Sequence, residues 1–275
     1  MTPPSPPEVD ADASPTARPT RRGLDHGLVL LGEILITAGV ILGLFVVWQL
    51  LYTDVQSGRT QSAALDELAF PEVPRVAAGT SAGVIDTQPE VPEISELIPD
   101  MLKVYSAAGA PVLGAQSEAT TFGALHVPRW GYDYVKPISE GTSRARVLDP
   151  LGIGHYAGTA MPGGVGNFSM AGHRTTYGKP FTDIQDLQAG DALVVQTDAA
   201  WYVYRVTSSE IVEPSYVAAI APTPGQPGVA PTVASITLTA CHPRYSAAQR
   251  YIVHGELEYW APTGYGYPSE IVEGA

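Results

Sequence analysis

The chain has 275 residues, enough for one or two folded domains. Gly and Pro contribute 28 and 25 residues, which argues against a mostly helical protein and favours a β-rich one with many turns. The formal net charge of −13 argues against a protein that binds along the phosphates of nucleic acids. The single cysteine, Cys241, excludes an internal disulfide and a multi-cysteine metal site.

The N-terminal part of the chain contains a polar segment and then an apolar one. Residues 1–27 are rich in Pro and Ala, and we expect a disordered tail. Residues 28–52 are apolar apart from the charge of Glu33, and as a helix they can cross a hydrocarbon core of about 30 Å. This run is longer than a signal-peptide core, and no small-residue cleavage site directly follows it. We therefore predict a transmembrane helix rather than a buried helix of a soluble protein, which would show a polar face.

The charges that flank this run predict its orientation. Arg18, Arg21 and Arg22 precede it, whereas only Arg59 follows soon after. Because basic residues are retained on the cytoplasmic side, we expect a single-pass protein of the cell membrane with a cytoplasmic N-terminus. The remainder of the chain would then be extracellular.

Residues 53–122 are predicted to form an acidic, proline-rich spacer. The stretch from Asp54 to Glu118 contains 10 acidic and 3 basic residues together with six prolines. Charge repulsion and proline stiffness should keep such a segment extended, so that it tethers a folded domain at a distance from the membrane. Two short pieces, 63–69 and 94–105, are candidate helices within it.

Residues 123–260 carry the signals of a single all-β domain. Short strand-like runs alternate with Gly and Pro turns, a pattern that is typical of a barrel or a sandwich. The predicted strands are 124–128, 132–138, 167–172, 192–197, 201–206, 235–241 and 250–259, with weak helical signals at 144–151 and 181–187. Residues 261–275 are expected to be a loose C-terminal tail.

Cys241 is the first candidate for chemistry in this domain. A free cysteine is most often a small buried hydrophobe, but this one ends a strand-like run beside a loop, where catalytic side chains are common. An ordinary thiol is only a few per cent ionised at neutral pH, and a nucleophilic one needs a histidine or another positive group nearby. His242 directly follows Cys241, but it would point to the opposite face of a continuing strand.

His173 and Arg250 are the candidate partners of the cysteine. His173 follows a short run of small residues, which lets the backbone pack closely. Arg250 opens the next strand, and a hairpin with the loop 242–249 would place it beside Cys241 as a donor to a developing oxyanion. The alternatives are a surface-loop histidine and a solvated strand-edge arginine. The other histidines of the domain, His126, His155 and His254, carry no distinguishing signal.

Together these residues resemble the sortase family, and most closely its class E members from high-GC Gram-positive bacteria. The resemblance rests on the run Thr237–Cys241, on Arg250 nine residues later, and on the stretch 166–178 that contains His173. It extends from about residue 125 to residue 259, about half of the chain. The resemblance implies an eight-stranded closed β-barrel with short helices.

The resemblance also implies a role for each candidate residue. Cys241 would be the nucleophile, His173 the general acid or base, and Arg250 the group that positions the substrate and stabilises the oxyanion. One position departs from the family, because the residue before the cysteine is usually Thr and here is Ala240. Since a backbone N–H at that position could still serve the oxyanion, we expect activity to survive.

By resemblance, the protein is a thiol-dependent transpeptidase that anchors exported proteins to the cell wall. It would cleave a Thr–Gly bond in a C-terminal sorting signal of the Leu-Ala-x-Thr-Gly or Leu-Pro-x-Thr-Gly type, and join the thioacyl product to an amine of a peptidoglycan precursor or a protein. We expect no cofactor, no metal and no nucleic-acid partner. The alternatives are a plain cysteine hydrolase, a catalytically silent barrel that binds ligands, and a membrane-anchored structural protein. The proline-rich loop 214–232 is expected to wall the substrate groove, or else to be a simple connector.

Overall fold

The computed structural model describes residues 22–71, 73 and 97–274. The chain divides into two compact units, Met1–Gln49 and Leu50–Ala275. Most of the expected disordered tail, residues 1–21, lies outside the described residues, as does the spacer between residues 74 and 96.

A long helix, α1 (Arg22–Leu68), begins the described chain. Its large apolar side chains between Leu28 and Trp48 are exposed. By length and composition α1 is the one helix among the described residues that could cross a membrane, which is consistent with membrane anchoring. The helix does not end with the apolar run at residue 52 but continues to Leu68.

Eight strands close into a barrel, as the resemblance implied. They are β1 (Thr121–His126), β2 (Val135–Glu140), β3 (Ile153–His155), β4 (Gly166–Gly172), β5 (Ala192–Gln196), β6 (Ala200–Val212), β7 (Ala234–His242) and β8 (Gln249–Pro262). Their order around the barrel is β1-β2-β3-β4-β7-β8-β6-β5. The β2–β3 and β4–β7 pairs are parallel, and closure leaves no open sheet edge.

Short helical segments connect the strands, and their positions explain what the sequence pattern missed. The predicted helix 144–151 is present as a π-helical turn, Arg144–Leu148, followed by α2 (Asp149–Leu151). Strand β3 comes directly after it and has only three residues, too few for an alternating pattern to be recognised. The predicted helix 181–187 is reduced to the 3₁₀ turn Ile184–Asp186.

The side chains of β7 alternate between the hydrophobic core and the opposite face of the sheet. Ile236, Leu238 and Ala240 belong to the main hydrophobic core, which fills the barrel interior. Because side chains alternate along a strand, Thr237, Thr239 and Cys241 face the other side of the sheet. The core therefore directs the odd-numbered polar residues of β7 away from the interior.

A second hydrophobic cluster corrects two expectations, the extended spacer and the loose tail. This cluster includes Trp201 and Tyr259, and both Ile98 of the spacer and Ile271 of the C-terminal segment are buried in it. At the other end of the spacer, residues 53–68 are helical and Ser57 is buried. The segments around Ile98 and Ile271 are ordered because they cover apolar side chains that would otherwise be exposed to water.

We predict that His126 makes folding sensitive to acid. Burial lowers the pKa of His126 to about 4, against the opposing effect of its hydrogen bond with Gln196. Between that value and the unfolded pKa of about 6.5, the unfolded chain binds more protons, so stability decreases as the pH falls. The contribution of His126 to the free energy of unfolding should be complete above pH 6.5. At pH 4 it should have decreased by about 3 kcal/mol.

The measurement is urea unfolding of the barrel in the full chain at pH 7.5, 5.5 and 4.5. His126→Gln removes the titrating group, so the variant should lose less stability on acidification than the unsubstituted protein. Equal losses in both proteins would show that His126 is not the acid-sensitive group.

Candidate active site

Strand register brings the three sequence-predicted residues to one edge of the barrel. In the parallel β4–β7 pair, Ala171 is opposite Thr239, and the same register continued by two residues places His173 level with Cys241. In the antiparallel β7–β8 pair, Cys241 is directly opposite Arg250. The hairpin expected from the sequence is thus observed: Cys241 on β7 and Arg250 on β8 are paired, and His173 directly follows the neighbouring strand β4.

A cavity of about 650 Å³ lies at this edge, and Cys241, His173 and Arg250 all line it. The Cys241 side chain is only partly buried, unlike the small buried hydrophobe that a lone cysteine most often is. Other parts of the wall come from the β2–β3 connection, the β3–β4 connection and the β7–β8 loop: Thr142, Arg144, Tyr156, Tyr245 and Ser246.

The residues before Cys241 show why the strand presents a thiol to this cavity. Thr239 shares the face of Cys241, and its hydroxyl lies 2.9 Å from the Tyr156 hydroxyl. Ala240 packs in the main core on the opposite face. A threonine hydroxyl at position 240 would therefore point towards apolar side chains, so alanine fits this core without an unpaired polar group.

His173 is held by two neighbours that the sequence analysis did not identify. Its Nε2 lies 2.7 Å from Oδ1 of Asp149 in α2. Its ring packs on the Tyr177 ring with 5.2 Å between centroids. Asp149 carries no sequence signal, because it lies 24 residues from His173 and only the tertiary fold brings the two together.

The Arg250 guanidinium is oriented by its own loop. Its Nη1 donates to the backbone carbonyls of Ala247 at 3.0 Å and Gln249 at 2.9 Å. Among the ion pairs of the described residues none involves Arg250. Its charge is therefore available to an anionic or carbonyl oxygen in the cavity.

Arg174 is a further residue that the sequence analysis missed, and it makes Nδ1 of His242 a hydrogen-bond acceptor. Its side chain is buried, and its Nη1 donates to Nδ1 of His242 at 2.9 Å. It also binds the side-chain oxygen of Gln185. Because His242 accepts at Nδ1 and does not line the cavity, it is unsuited to act as the base of Cys241, as its position next to the cysteine had indicated.

The remaining histidines of the barrel lie in buried hydrogen-bonded pairs. His155 Nδ1 is 2.6 Å from Oε2 of Glu140. His254 Nδ1 is 2.9 Å from the Thr237 hydroxyl, and burial lowers the pKa of His254. Neither residue lines the cavity of Cys241, so His173 is the histidine that does.

The expectation for the loop 214–232 is wrong for this cavity. None of its residues lines the cavity at Cys241; the loop instead borders a separate cavity of about 260 Å³. It is attached to the start of β4, where Asn167 donates to the carbonyls of Ala219 and Ala221 at 3.0 and 2.9 Å. That attachment keeps the loop at the other end of β4 from His173.

We predict that Arg174 contributes more to stability than an exposed arginine does. Arg174→Ala leaves Nδ1 of the half-buried His242 without its donor and removes a buried guanidinium, which should lower the free energy of unfolding by about 1–3 kcal/mol. The matched control is Arg244→Ala, since Arg244 is half-exposed and pairs with Asp183 at 3.0 Å, an arrangement worth about 0–1 kcal/mol. Urea unfolding measures both, and equal losses would contradict the structural role of Arg174.

Comparison with known proteins agrees with the fold. The sortase domain family matches residues 125–258. Sortase SrtE1 of Streptomyces coelicolor is 34% identical over 248 residues, which cover 88% of this chain and 60% of that protein. The chain therefore spans less than two thirds of the length of this relative.

Solved structures show the same similarity. The SrtA sortase from Actinomyces oris is 41% identical with a TM-score of 0.57, and the match covers 61% of this chain and 96% of that one. Sortase E1 from Streptomyces coelicolor, with a tripeptide in its active site, is 40% identical with a TM-score of 0.53, and the match covers 57% of this chain and 100% of that one. This chain belongs to the sortase family and is class E-like.

Proposed function

We propose that this protein is a membrane-anchored cysteine transpeptidase with Cys241 as nucleophile, His173 as general acid and base, and Arg250 as oxyanion donor. The observation that carries the proposal is the shared cavity: a thiol, an imidazole and a guanidinium that has no ion pair among the described residues line one space at the edge of the barrel. These are the three groups that acyl transfer through a thioester requires. Membership of the sortase family supports the same reaction.

The first half-reaction forms the acyl-enzyme. The Cys241 thiolate attacks the carbonyl carbon of the scissile Thr–Gly bond, and the carbonyl oxygen takes up negative charge. The Arg250 guanidinium, fixed by two backbone carbonyls, donates hydrogen bonds to that oxygen. As the C–N bond breaks, His173 gives a proton to the leaving glycine amine, and a thioester remains on Cys241.

The second half-reaction transfers the acyl group. An amine enters the cavity and attacks the thioester carbonyl, while His173 takes the proton that the amine loses. The C–S bond then breaks, and Cys241 leaves as the thiolate with which the cycle began. Asp149 is placed to hold one nitrogen of His173 through both steps, since its carboxylate lies 2.7 Å from Nε2.

The substrate in this proposal is a C-terminal sorting signal of the Leu-Ala-x-Thr-Gly or Leu-Pro-x-Thr-Gly type. A cavity of about 650 Å³ has room for several residues of an extended peptide. The tripeptide in the active site of sortase E1 from Streptomyces coelicolor supports a peptide ligand for this related site. The acceptor would be an amino group of a peptidoglycan precursor or of another protein.

The proposed location is the outer face of the cell membrane. The apolar part of α1 would be the anchor, with the N-terminus in the cytoplasm because the flanking arginines precede it. Exported proteins that are retained in the same membrane would meet the enzyme at high effective concentration. Tethering both partners to one surface therefore favours the reaction without any additional contact.

The test is a peptide-joining assay on the full chain in detergent, with a Leu-Ala-x-Thr-Gly peptide and hydroxylamine, which releases a thioester as a hydroxamate. Cys241→Ala should form no acyl-enzyme detectable by mass spectrometry. His173→Gln should lose most of the activity, and Arg250→Ala should react about 10²–10³-fold more slowly because an oxyanion donor is lost. The control is Arg129→Ala, since Arg129 pairs with Asp191 and does not line the cavity.

Each outcome has a definite meaning for the proposal. Hydroxamate formation that persists in Cys241→Ala would overturn the assignment of the nucleophile. Cleavage that gives only the hydrolysed peptide, whatever the amine supplied, would identify a hydrolase instead of a transpeptidase. Loss of activity in Arg129→Ala equal to that in Arg250→Ala would remove Arg250 from the reaction.

A further inference from the structure

The part of α1 that lies in the second unit has a polar face packed against the barrel domain. Ser57, Gln61 and Ala64 are buried, with Gln61 only 2% exposed. Their spacing of four and three residues places them on one face of the helix. Gln56 and Ser62, on other faces, are exposed. A buried glutamine and serine on a helix that is otherwise exposed or apolar require partners, and the structure supplies them.

Ser57 and Gln61 bind two separate segments of the domain. The Ser57 hydroxyl donates to the backbone carbonyl of Asp149 at 2.8 Å. The Gln61 amide donates from Nε2 to the backbone carbonyl of Tyr177 at 3.1 Å, and its Oε1 accepts from Lys136 Nζ at 3.3 Å. One helix face therefore holds both the α2 turn and the loop that follows β4.

Asp54, one turn before Ser57 in the helix, adds two further attachments to the loop that Gln61 binds. Its Oδ1 accepts from the backbone N–H of Gly178 at 3.2 Å, and its Oδ2 pairs with Lys179 Nζ at 2.8 Å. The loop after His173 is thus held to the helix at three consecutive residues, 177, 178 and 179.

The packing around Gln61 is closer than an incidental contact. A Cβ on Gly178 would lie 2.6 Å from Gln61 Nε2, and a Cβ on Gly152 would lie 3.0 Å from the Gln61 amide. Both glycines also have positive φ, at +76° and +91°, where other residues are strained. The Gln61 amide therefore occupies a slot between the end of α2 and the loop, which only glycine on each side leaves open.

The two segments held in this way are the ones that support the imidazole of His173. Asp149 contacts Nε2 of His173 through its carboxylate, and Tyr177 packs on the ring. The helix binds the backbone carbonyl of each of these two residues, through Ser57 for Asp149 and through Gln61 for Tyr177. Both supports of the imidazole are therefore fixed from α1.

We infer that Ser57 and Gln61 are positioning residues for His173, so that the helix which carries the apolar span is also part of the active-site scaffold. This inference rests on the proposed function, in which His173 transfers the proton. Displacing a catalytic group by about 1 Å can slow a reaction about 10²-fold without altering substrate binding. The loss should therefore fall on kcat, while KM, which depends on the cavity walls, should stay the same.

The experiment compares single variants of the full chain in detergent, using the Leu-Ala-x-Thr-Gly peptide and hydroxylamine. Ser57→Ala and Gln61→Ala should each lower kcat about 10-fold, and together about 100-fold, with KM within about twofold. Ser57→Thr keeps a hydroxyl and should restore kcat. The same helix offers matched controls, Ser62→Ala for the serine and Gln56→Ala for the glutamine. Each removes an exposed side chain of the same type and should leave kcat and KM unchanged.

A second measurement does not depend on activity, and so separates this inference from the proposed function. The imidazole C–H resonances of His173, assigned by their absence in His173→Gln, should shift in Ser57→Ala and Gln61→Met, while those of His126 and His254 should not. Gln61→Met is the milder variant, because it keeps the length of the side chain and adds no buried charge while it removes both hydrogen bonds of the Gln61 amide.

The outcomes decide between a positioning role and a merely structural one. A fall in kcat at constant KM, rescue by Ser57→Thr and a His173-specific resonance shift support the inference. Resonances of His173 that match those of the Ser62→Ala and Gln56→Ala controls overturn it, and so does a kcat that Ser57→Thr fails to restore. If the unsubstituted protein joins no peptide but the His173 resonances of the Ser57 and Gln61 variants shift as expected, the proposed function fails while the positioning of His173 stands.

Discussion

The parallel pairing of β4 with β7 is the interaction on which the site depends. His173 and Cys241 are 68 residues apart in the chain, and they meet because β4 and β7 are parallel neighbours, His173 directly follows β4, and Cys241 lies near the end of β7. The antiparallel turn from β7 to β8 then brings Arg250 to the same edge. A shift of the β4–β7 register by one residue would turn one partner to the opposite face of the sheet, so the chemistry depends on the register of the core.

The core sets that register from the inside of the barrel. Ile236, Leu238 and Ala240 on β7 and Phe168 and Met170 on β4 are buried in one cluster. Their alternation leaves the other face of β7 to polar side chains, which bind one another in place of water. Such a network is stable only when each polar group has a hydrogen-bond partner, because a buried polar group without one lowers the free energy of unfolding.

Polar contacts from outside the barrel complete the site. Arg174 binds His242 below the cysteine, and Asp149 binds His173 beside it. Asp149 is in turn held by Ser57 of α1. The segment after residue 52 was expected from its charge to be an extended tether. Its first residues, 53–68, are instead helical and bind the residues around His173. Net charge describes the average behaviour of a segment, whereas the burial of Gln61 depends on one slot between two glycines.

Much of the fold could be predicted because its signals are local. Gly and Pro turns separated most of the strands, the apolar run of α1 was recognisable by length, and the residues around His173, Cys241 and Arg250 resembled one family closely enough to imply a closed barrel. The three-residue strand β3 was missed because it is too short to show alternation. The loop 214–232 was misplaced because nothing in its composition indicates that Asn167 holds it at the far end of β4.

The sequence by itself determined which residue types were available for chemistry: one thiol, a histidine after a run of small residues, and an arginine one hairpin away. It could not determine what surrounds them. Asp149, Tyr177, Arg174 and Gln61 are ordinary residues at positions without a motif, and they reach the site only through contacts between distant parts of the chain. Only the tertiary structure decided their roles, because a hydrogen bond depends on distance and direction in space, which separation along the chain does not specify.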